Sequence, residues 1–89
     1  MNKQIAFHEH GWDDYLYWET QDKKTQRRVN QLIEDIERNG NDGIGKPEML
    51  HGEWNGFWSR RIDDTNRLIY RLRDGQLEIA QCRHHYDDK

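Results

Sequence analysis

The sequence predicts an α+β domain in which two N-terminal helices pack on a twisted, mainly antiparallel sheet of about four strands. Three features favour this fold class. The first half of the chain has a helical repeat of apolar residues, the second half alternates apolar and charged residues as strands do, and an Asp-Gly pair there is typical of a hairpin turn. A chain of 89 residues has room for one core, so we expect one domain, 1–89.

The chain is predicted to begin with a short strand and a helix. Gln4–Phe7 is the candidate strand. After it, Trp12, Tyr15, Leu16 and Glu19 recur at helical spacing, and the acidic pair at 13–14 falls in the predicted first turn, where the helix dipole favours anions. This segment is therefore predicted to be the first helix.

The second helix has the clearest local pattern. Its apolar residues recur at i, i+3, i+4 and i+7, and they are Val29, Leu32, Ile33 and Ile36. Charged residues lie between them, and the Asn-Gly pair at 39–40 is a stop signal for a helix. A glycine-rich loop then extends to Pro47.

Three strands are predicted in the second half of the chain. They are residues 56–62, 67–73 and 76–86, with the Asp-Gly hairpin turn at 74–75. In the middle strand Leu68, Tyr70 and Leu72 alternate with a set that includes three arginines. We expect the apolar face to pack on the helices and the opposite face to be basic.

Charge and composition limit the classes of partner. The chain has 14 basic and 17 acidic residues, a net charge of −3, which is unusual for a nucleic-acid-binding protein. Five arginines nevertheless fall close together, at 60, 61, 67, 71 and 73, and permit a phosphate-bearing partner. No apolar stretch suits a membrane span and no leader is evident, so we expect a cytoplasmic protein without a membrane partner.

Two other kinds of site are disfavoured. Residues 40–46 have the spacing of a phosphate-binding P-loop, but Pro47 stands where the loop needs a hydroxyl for Mg²⁺. Among the histidines, His84 and His85 are adjacent and would lie on opposite faces of a strand, while His8 and His10 lack further ligands. We therefore expect no metal site and no cofactor.

A different set of residues suits RNA cleavage without a metal. Such cleavage needs a base for the 2′-hydroxyl, cations for the phosphate and an acid for the 5′-oxygen. The candidates are Glu48, Arg61, Arg67, His85 and Tyr86. The residue types alone leave a second interpretation open, in which these are ordinary exposed side chains of a sheet.

Five stretches of the chain, in order and spacing, resemble the YoeB toxins of the RelE-like superfamily. These toxins are ribosome-dependent mRNA interferases that pair with YefM/Phd-type antitoxins. The matching stretches are residues 12–18 (WDDYLYW), 45–48 (GKPE), 56–62 (GFWSRRI), 66–70 (NRLIY) and 82–86 (CRHHY). The resemblance implies a RelE-like fold for the predicted α+β domain.

The resemblance also implies roles for individual residues. Glu48 would be the general base, Arg67 would stabilise the transition-state phosphate, His85 would be the general acid, and Tyr86 would position or stack on the nucleotide. The expected RNA-binding residues are Arg61, which assists Arg67, together with Lys46, His51 and Trp54. Trp54 lies in a glycine-flanked segment, where stacking on a base or a partner is an open possibility.

Two departures from the best-known member of the family bear on this site. His51 stands where that member has lysine, so a permanent cation is replaced by a group that is mostly neutral at pH 7. Residues 87–89 follow Tyr86, and their two carboxylates would raise the pKa of a neighbouring acid and oppose an incoming phosphate.

The implied partners are a YefM/Phd-type antitoxin, the ribosome with its mRNA, and operator DNA only through the antitoxin complex. A homodimer is also compatible with the resemblance. The alternative function is a non-catalytic nucleic-acid-binding or corepressor module that acts with an antitoxin, and a metal-dependent nuclease is a third option.

Overall fold

The structure is a computed structural model that describes residues 4–85, so Tyr86 and the three residues after it lie outside the described part. Within this range the chain forms two helices and a five-stranded sheet. The helices are α1 (Glu9–Gln21) and α2 (Lys23–Asn39), and the strands are β1 (Gln4–Phe7), β2 (Glu48–Met49), β3 (Trp58–Arg61), β4 (Arg67–Arg73) and β5 (Gln76–Gln81). None of the helices in residues 4–85 is long and apolar enough to cross a bilayer.

The strand order in the sheet is β1-β5-β4-β3-β2. Strand β1 runs parallel to β5, and the other neighbouring strands are antiparallel. The α1–α2 pair follows β1 and leads to β2 at the opposite edge of the sheet. The predicted α+β class and the mainly antiparallel sheet are confirmed, although five strands are present where about four were expected.

The helices pack on one face of the sheet and form the main core there. Helix α2 presents the four apolar residues that the pattern predicted, Val29, Leu32, Ile33 and Ile36, and all four are buried. They meet the helix-facing side chains of β4 and β5, which include Leu68, Tyr70, Leu77 and Ile79. The predicted apolar face of the middle strand is therefore confirmed.

The opposite face of the sheet, which we call the open face, differs from the expectation of a purely basic surface. Ile69 is fully buried there with Leu50 and Ala80, and Trp54 and Phe57 pack over them. Arg67 is only 8% exposed. The loop between β2 and β3, which contains a short 3₁₀ helix (Gly52–Trp54), folds back over the sheet and supplies the aromatic cover.

Two strand predictions need correction. Strand β2 was not predicted, since two residues carry no periodicity and become a strand only through pairing with β3. The last strand ends at Gln81 and does not continue to residue 86. It ends there because side chains of α1, instead of a neighbouring strand, bind the backbone of Cys82.

Candidate active site

Sheet register brings Glu48, Arg61 and Arg67 to the open face. Glu48 is paired with Ser59, and Arg61 is paired with Arg67. Directly paired residues share a face of a sheet and successive residues alternate between faces. Arg60, which lies between Ser59 and Arg61, binds Asp35 of α2 and so marks the helix-facing side. The three candidate residues therefore project from three neighbouring strands on the same side.

Arg67 occupies a buried position without a carboxylate partner in residues 4–85. Its Nη1 donates to the backbone oxygens of Asp63 at 2.7 Å and Asn66 at 3.1 Å. The ion pairs formed within residues 4–85 do not include it. A shielded guanidinium whose charge is not neutralised attracts an anion more strongly than an exposed one does.

The five clustered arginines divide into two groups. Arg60 binds Asp35, and Arg71 and Arg73 both bind Glu78. Within residues 4–85 the two that form no ion pair are Arg61 and Arg67, the paired neighbours on β3 and β4. The two arginines without an ion pair thus lie together at one end of the open face.

The segment after β5 lies beside Arg67. The backbone N–H of Arg67 donates to the carbonyl of His84 at 2.9 Å, and the N–H of His84 donates to Oδ1 of Asn66 at 2.7 Å. His84 adopts a φ of 67°, a left-handed conformation that a non-glycine residue rarely takes. His85 follows directly and is partly exposed. The backbone that carries His85 is therefore held against the start of β4.

Side chains of helix α1 bind the start of the same C-terminal segment, at the backbone of Cys82. Oδ2 of Asp14 accepts from the N–H of Cys82 at 3.0 Å, and Nε1 of Trp18 donates to its carbonyl at 2.7 Å. Burial raises the pKa of Asp14, although the hydrogen bond from Cys82 and the nearby His10 and Arg83 lower it in part. The Cys82 thiol is also buried, and burial raises its pKa, which leaves it inert.

Lys46 lies beside Arg61. The N–H of Arg61 donates to the carbonyl of Gly45 at 2.7 Å, so the next residue, Lys46, stands at the end of the β2–β3 ladder. Arg60 holds this glycine-rich loop in place. Its guanidinium donates to the carbonyls of Gly40 at 2.6 Å and Ile44 at 2.9 Å. Arg60 is therefore a buried structural cation and not part of the expected basic surface.

The remaining predicted residues are Trp54, His51 and Tyr86. Trp54 is partly buried and meets Phe57 edge to face at 5.3 Å between ring centroids, so much of its ring serves apolar packing on the open face. His51 is exposed at the N-terminus of the 3₁₀ helix, and no hydrogen bond joins its side chain to Arg61 or Arg67 in the described structure. Tyr86 lies outside the described residues.

The site also contains a residue that the sequence analysis did not single out. Asn66 stands between Arg67 and His84 and bonds to both the turn before it and the C-terminal segment. Its position could have been suspected from the segment 63–66 (DDTN), because Asp followed by Thr and Asn is typical of an Asx turn. Over residues 4–85 there is no cluster of three His, Cys, Asp or Glu side chains suited to a metal ion.

Comparison with known families identifies relatives along nearly the whole chain. Residues 7–86 match the family described as the YoeB-like toxin of bacterial type II toxin-antitoxin systems. The Toxin YoeB of Streptomyces coelicolor is 53% identical over 83 residues, which cover 93% of this chain and 99% of that protein. The Toxin YoeB of Escherichia coli K12 is 47% identical with the same coverage of both chains.

Solved structures agree with these matches. A YoeB dimer from Staphylococcus aureus superposes with a TM-score of 0.90 at 40% identity and covers 97% of this chain and 100% of that one. The toxin in a heterotetrameric YoeB–YefM complex from the same organism gives 0.88 at 40% identity, with the same coverage. YafQ of Escherichia coli, at 17% identity and a TM-score of 0.74 over 93% of each chain, shares the fold.

Proposed function

The chain belongs to the YoeB-like toxins of bacterial type II toxin-antitoxin systems, and from this membership we propose that it is an endoribonuclease that cuts mRNA on the ribosome without a metal ion. The observation that carries the proposal is the sorting of the arginines. Three of the five clustered arginines form ion pairs with Asp35 or Glu78, whereas Arg61 and Arg67 are paired on one face and form no ion pair within residues 4–85.

The order of groups across the sheet supports a phosphoryl-transfer site. Glu48 lies on β2, Arg61 on β3, Arg67 on β4, and His85 follows β5. Neighbouring strands are about 4.8 Å apart, and in the proposed site the Glu48 carboxylate and the His85 imidazole reach the scissile phosphate on either side of the two guanidinium groups. Attack on phosphorus from one side with departure from the other needs this order of base, cation and acid.

Each group then has one step in the reaction. Glu48 accepts the proton of the ribose 2′-hydroxyl, whose oxygen attacks the adjacent phosphorus. Arg67, assisted by Arg61, stabilises the additional negative charge on the phosphate oxygens. His85 donates a proton to the 5′-oxygen as the bond from phosphorus to that oxygen breaks. The products are a 2′,3′-cyclic phosphate, which hydrolysis converts to a 3′-phosphate, and a 5′-hydroxyl.

The surrounding residues bind the nucleotide. Lys46, beside Arg61, contacts a neighbouring phosphate, and the exposed part of Trp54 stacks on a base. His51 adds a cation only when it is protonated. Tyr86 positions the reacting nucleotide, as the family resemblance implies.

The proposed partners follow from the relatives. The Staphylococcus aureus toxin is found in a complex with YefM and as a dimer. We accordingly assign this chain a YefM-type antitoxin, whose acidic segment neutralises Arg61 and Arg67, and a homodimeric state. Its substrate is mRNA on the ribosome in the cytoplasm, and it reaches operator DNA only through the antitoxin complex.

Cleavage by translating ribosomes tests the proposal. A defined mRNA is translated with wild-type protein or with Glu48→Ala, Arg67→Ala or His85→Ala, at constant Mg²⁺ and with transition metals chelated. Each substitution is expected to lower the cleavage rate by about 100-fold or more. Arg73→Ala is the matched control, since Arg73 lies on the same face at the other end of the same strand and is ion-paired with Glu78, and it is expected to leave cleavage unchanged.

Three results would contradict the proposal. Cleavage that survives all three substitutions would locate the chemistry elsewhere. Loss of cleavage on chelation of transition metals would indicate a metal nuclease. If the wild type does not cleave, but binds operator DNA with its antitoxin, the protein is a corepressor module.

A further inference from the structure

Asn66 connects the two segments that carry the proposed phosphate-binding and acid groups. Its side-chain Oδ1 accepts the N–H of His84 at 2.7 Å, and its Nδ2 donates to both carboxylate oxygens of Asp63 at 3.1 Å. The residue after it is Arg67, and the residue after His84 is His85. One amide group thus lies between the two parts of the site.

The turn that holds Asn66 is itself well ordered by Asp63. Oδ1 of Asp63 accepts from the backbone N–H groups of Thr65 at 2.9 Å and Asn66 at 2.7 Å. Burial raises the pKa of Asp63, but the hydrogen bonds from Asn66 and Thr65 outweigh that effect and lower it. The carboxylate therefore remains an acceptor at neutral pH and keeps the Asn66 amide in one orientation.

The turn also places the Arg67 guanidinium. Nη1 of Arg67 donates to the carbonyls of Asp63 and Asn66, and the N–H of Arg67 donates to the carbonyl of His84. Both backbone polar groups of His84 are thereby bound to the turn, one through the Asn66 side chain and one through the Arg67 backbone. This holds His84 at its left-handed φ of 67° and fixes the direction in which the chain leaves toward His85.

We propose that Asn66 is a positioning residue that aligns the backbone of His85 with the Arg67 guanidinium. This role rests on the proposed function of the site. An amide is suited to it because it accepts from His84 and donates to Asp63 at once, whereas a carboxylate cannot donate and an alkyl group can do neither. Asn66 acts through its neighbours and does not contact the reacting atoms.

Two variants at position 66 test whether Asn66 affects the rate of cleavage or the binding of the ribosome. Asn66→Ala removes both bonds, and it is expected to lower the single-turnover cleavage rate at saturating ribosomes on the order of 10- to 100-fold, with the half-saturating ribosome concentration unchanged. Asn66→Asp keeps an oxygen for the His84 N–H but sets a second carboxylate against that of Asp63, so it is expected to lose at least as much activity as Asn66→Ala. Hydrogen exchange of the His84 amide, measured by NMR, should accelerate in Asn66→Ala.

Asn30→Ala is the matched control. Oδ1 of Asn30 accepts from the Tyr15 hydroxyl at 2.8 Å, so this variant loses a hydrogen bond between α1 and α2, away from the open face. It is expected to lower the melting temperature while leaving the cleavage rate and the exchange of the His84 amide unchanged.

The outcomes distinguish this inference from the proposed function. Wild-type cleavage rates in Asn66→Ala, or an equal loss in Asn30→Ala, would overturn the role of Asn66 and leave the site intact. An increase in half-saturating concentration with an unchanged rate would make Asn66 a binding residue and also overturn it. Failure of the wild type to cleave, or full activity of His85→Ala, would instead remove the proposed function on which the inference rests.

Discussion

Two adjacent arginines illustrate how position alone decides what a residue does. Arg60 and Arg61 have the same charge and are neighbours, but successive residues of a strand lie on opposite faces. Arg60 enters the helix-facing side, is fully buried and binds Asp35, the glycine-rich loop and the Tyr70 hydroxyl. Arg61 is exposed on the open face. Arg60 stabilises the fold, and Arg61 is the proposed RNA contact.

Replacement of each arginine by methionine should therefore have very different effects on stability. Arg60→Met leaves Asp35 and two loop carbonyls without their donor, and we expect the free energy of unfolding to fall by about 3–5 kcal/mol. Arg61→Met should change it by no more than about 0.5 kcal/mol. Urea denaturation followed by circular dichroism measures both, and similar losses in the two variants would contradict the assignment of Arg60.

At the scale of an element, α2 was predictable because its pattern and its environment agree. All four of its periodic apolar residues are buried, and the helix ends at Asn39 before a glycine with φ of 67°. Its N-terminus is capped by Asp22, which accepts from the backbone N–H of Thr25. Nothing elsewhere in the fold overrides these local preferences.

The end of β5 was not predictable, because a distant element determines it. The sequence continues with residue types that suit a strand, and the expectation of residues 76–86 followed from them. In the structure Asp14 and Trp18 bind both backbone groups of Cys82, although they are more than sixty positions away in sequence. Local periodicity contains no information about this contact, so the C-terminal segment that carries His85 was described wrongly as strand.

The close approach of α1 to β5 depends on Gly11. A Cβ at this position would lie 2.5 Å from the carbonyl oxygen of Ile79, which is backbone and cannot rotate away. Gly11→Ala should therefore lower the free energy of unfolding by about 1–2 kcal/mol, since overpacking outweighs the better helix propensity of alanine. It should also slow cleavage, because α1 would move from Cys82.

A substitution on the exposed side of α1 is the control for Gly11→Ala. Glu19→Ala gains helix propensity without a clash and is expected to change the free energy of unfolding by less than about 0.5 kcal/mol. Both values come from urea denaturation. A Gly11→Ala protein as stable as the wild type would mean that α1 does not pack on the β5 backbone as described.

At the scale of the molecule, the candidate site exists only in the assembled sheet. Glu48, Arg61 and Arg67 come from three strands, and the turn and α1 together hold the segment of His85. The sequence identified these residues through a family resemblance, whereas their convergence depends on strand register. The folded structure also divides the five arginines that lie close together in the sequence, since three of them have carboxylate partners.

Three carboxylates, those of Asp14, Asp35 and Glu78, bind groups that are distant in the sequence, and their pKa values shift in different directions. The hydrogen bond from Arg60 is the largest influence on Asp35 and lowers its pKa. At Glu78 burial raises the pKa, but hydrogen bonds from Arg71 and His8 outweigh it and lower the value. A lowered pKa stabilises the folded state above the unfolded pKa, and that stability is lost as the pH falls. Asp14 is the exception among these, because its pKa is raised.

The pH dependence of two Asp-to-Asn variants should therefore have opposite signs. An unfolded aspartate ionises near its ordinary pKa of 3.8, but Asp14 keeps its proton in the folded protein until the pH reaches its raised pKa. Between these values the folded state binds more protons, so ionisation of Asp14 costs stability as the pH rises. The free energy of unfolding of Asp14→Asn should consequently rise relative to wild type across that window.

Asp35→Asn should show the opposite trend. Relative to this variant, the wild type should gain stability as the pH rises from the lowered pKa of Asp35 toward 3.8. Urea denaturation of the three proteins at closely spaced pH values measures both differences, and parallel curves for the two variants would show that Asp14 is not buried against Cys82.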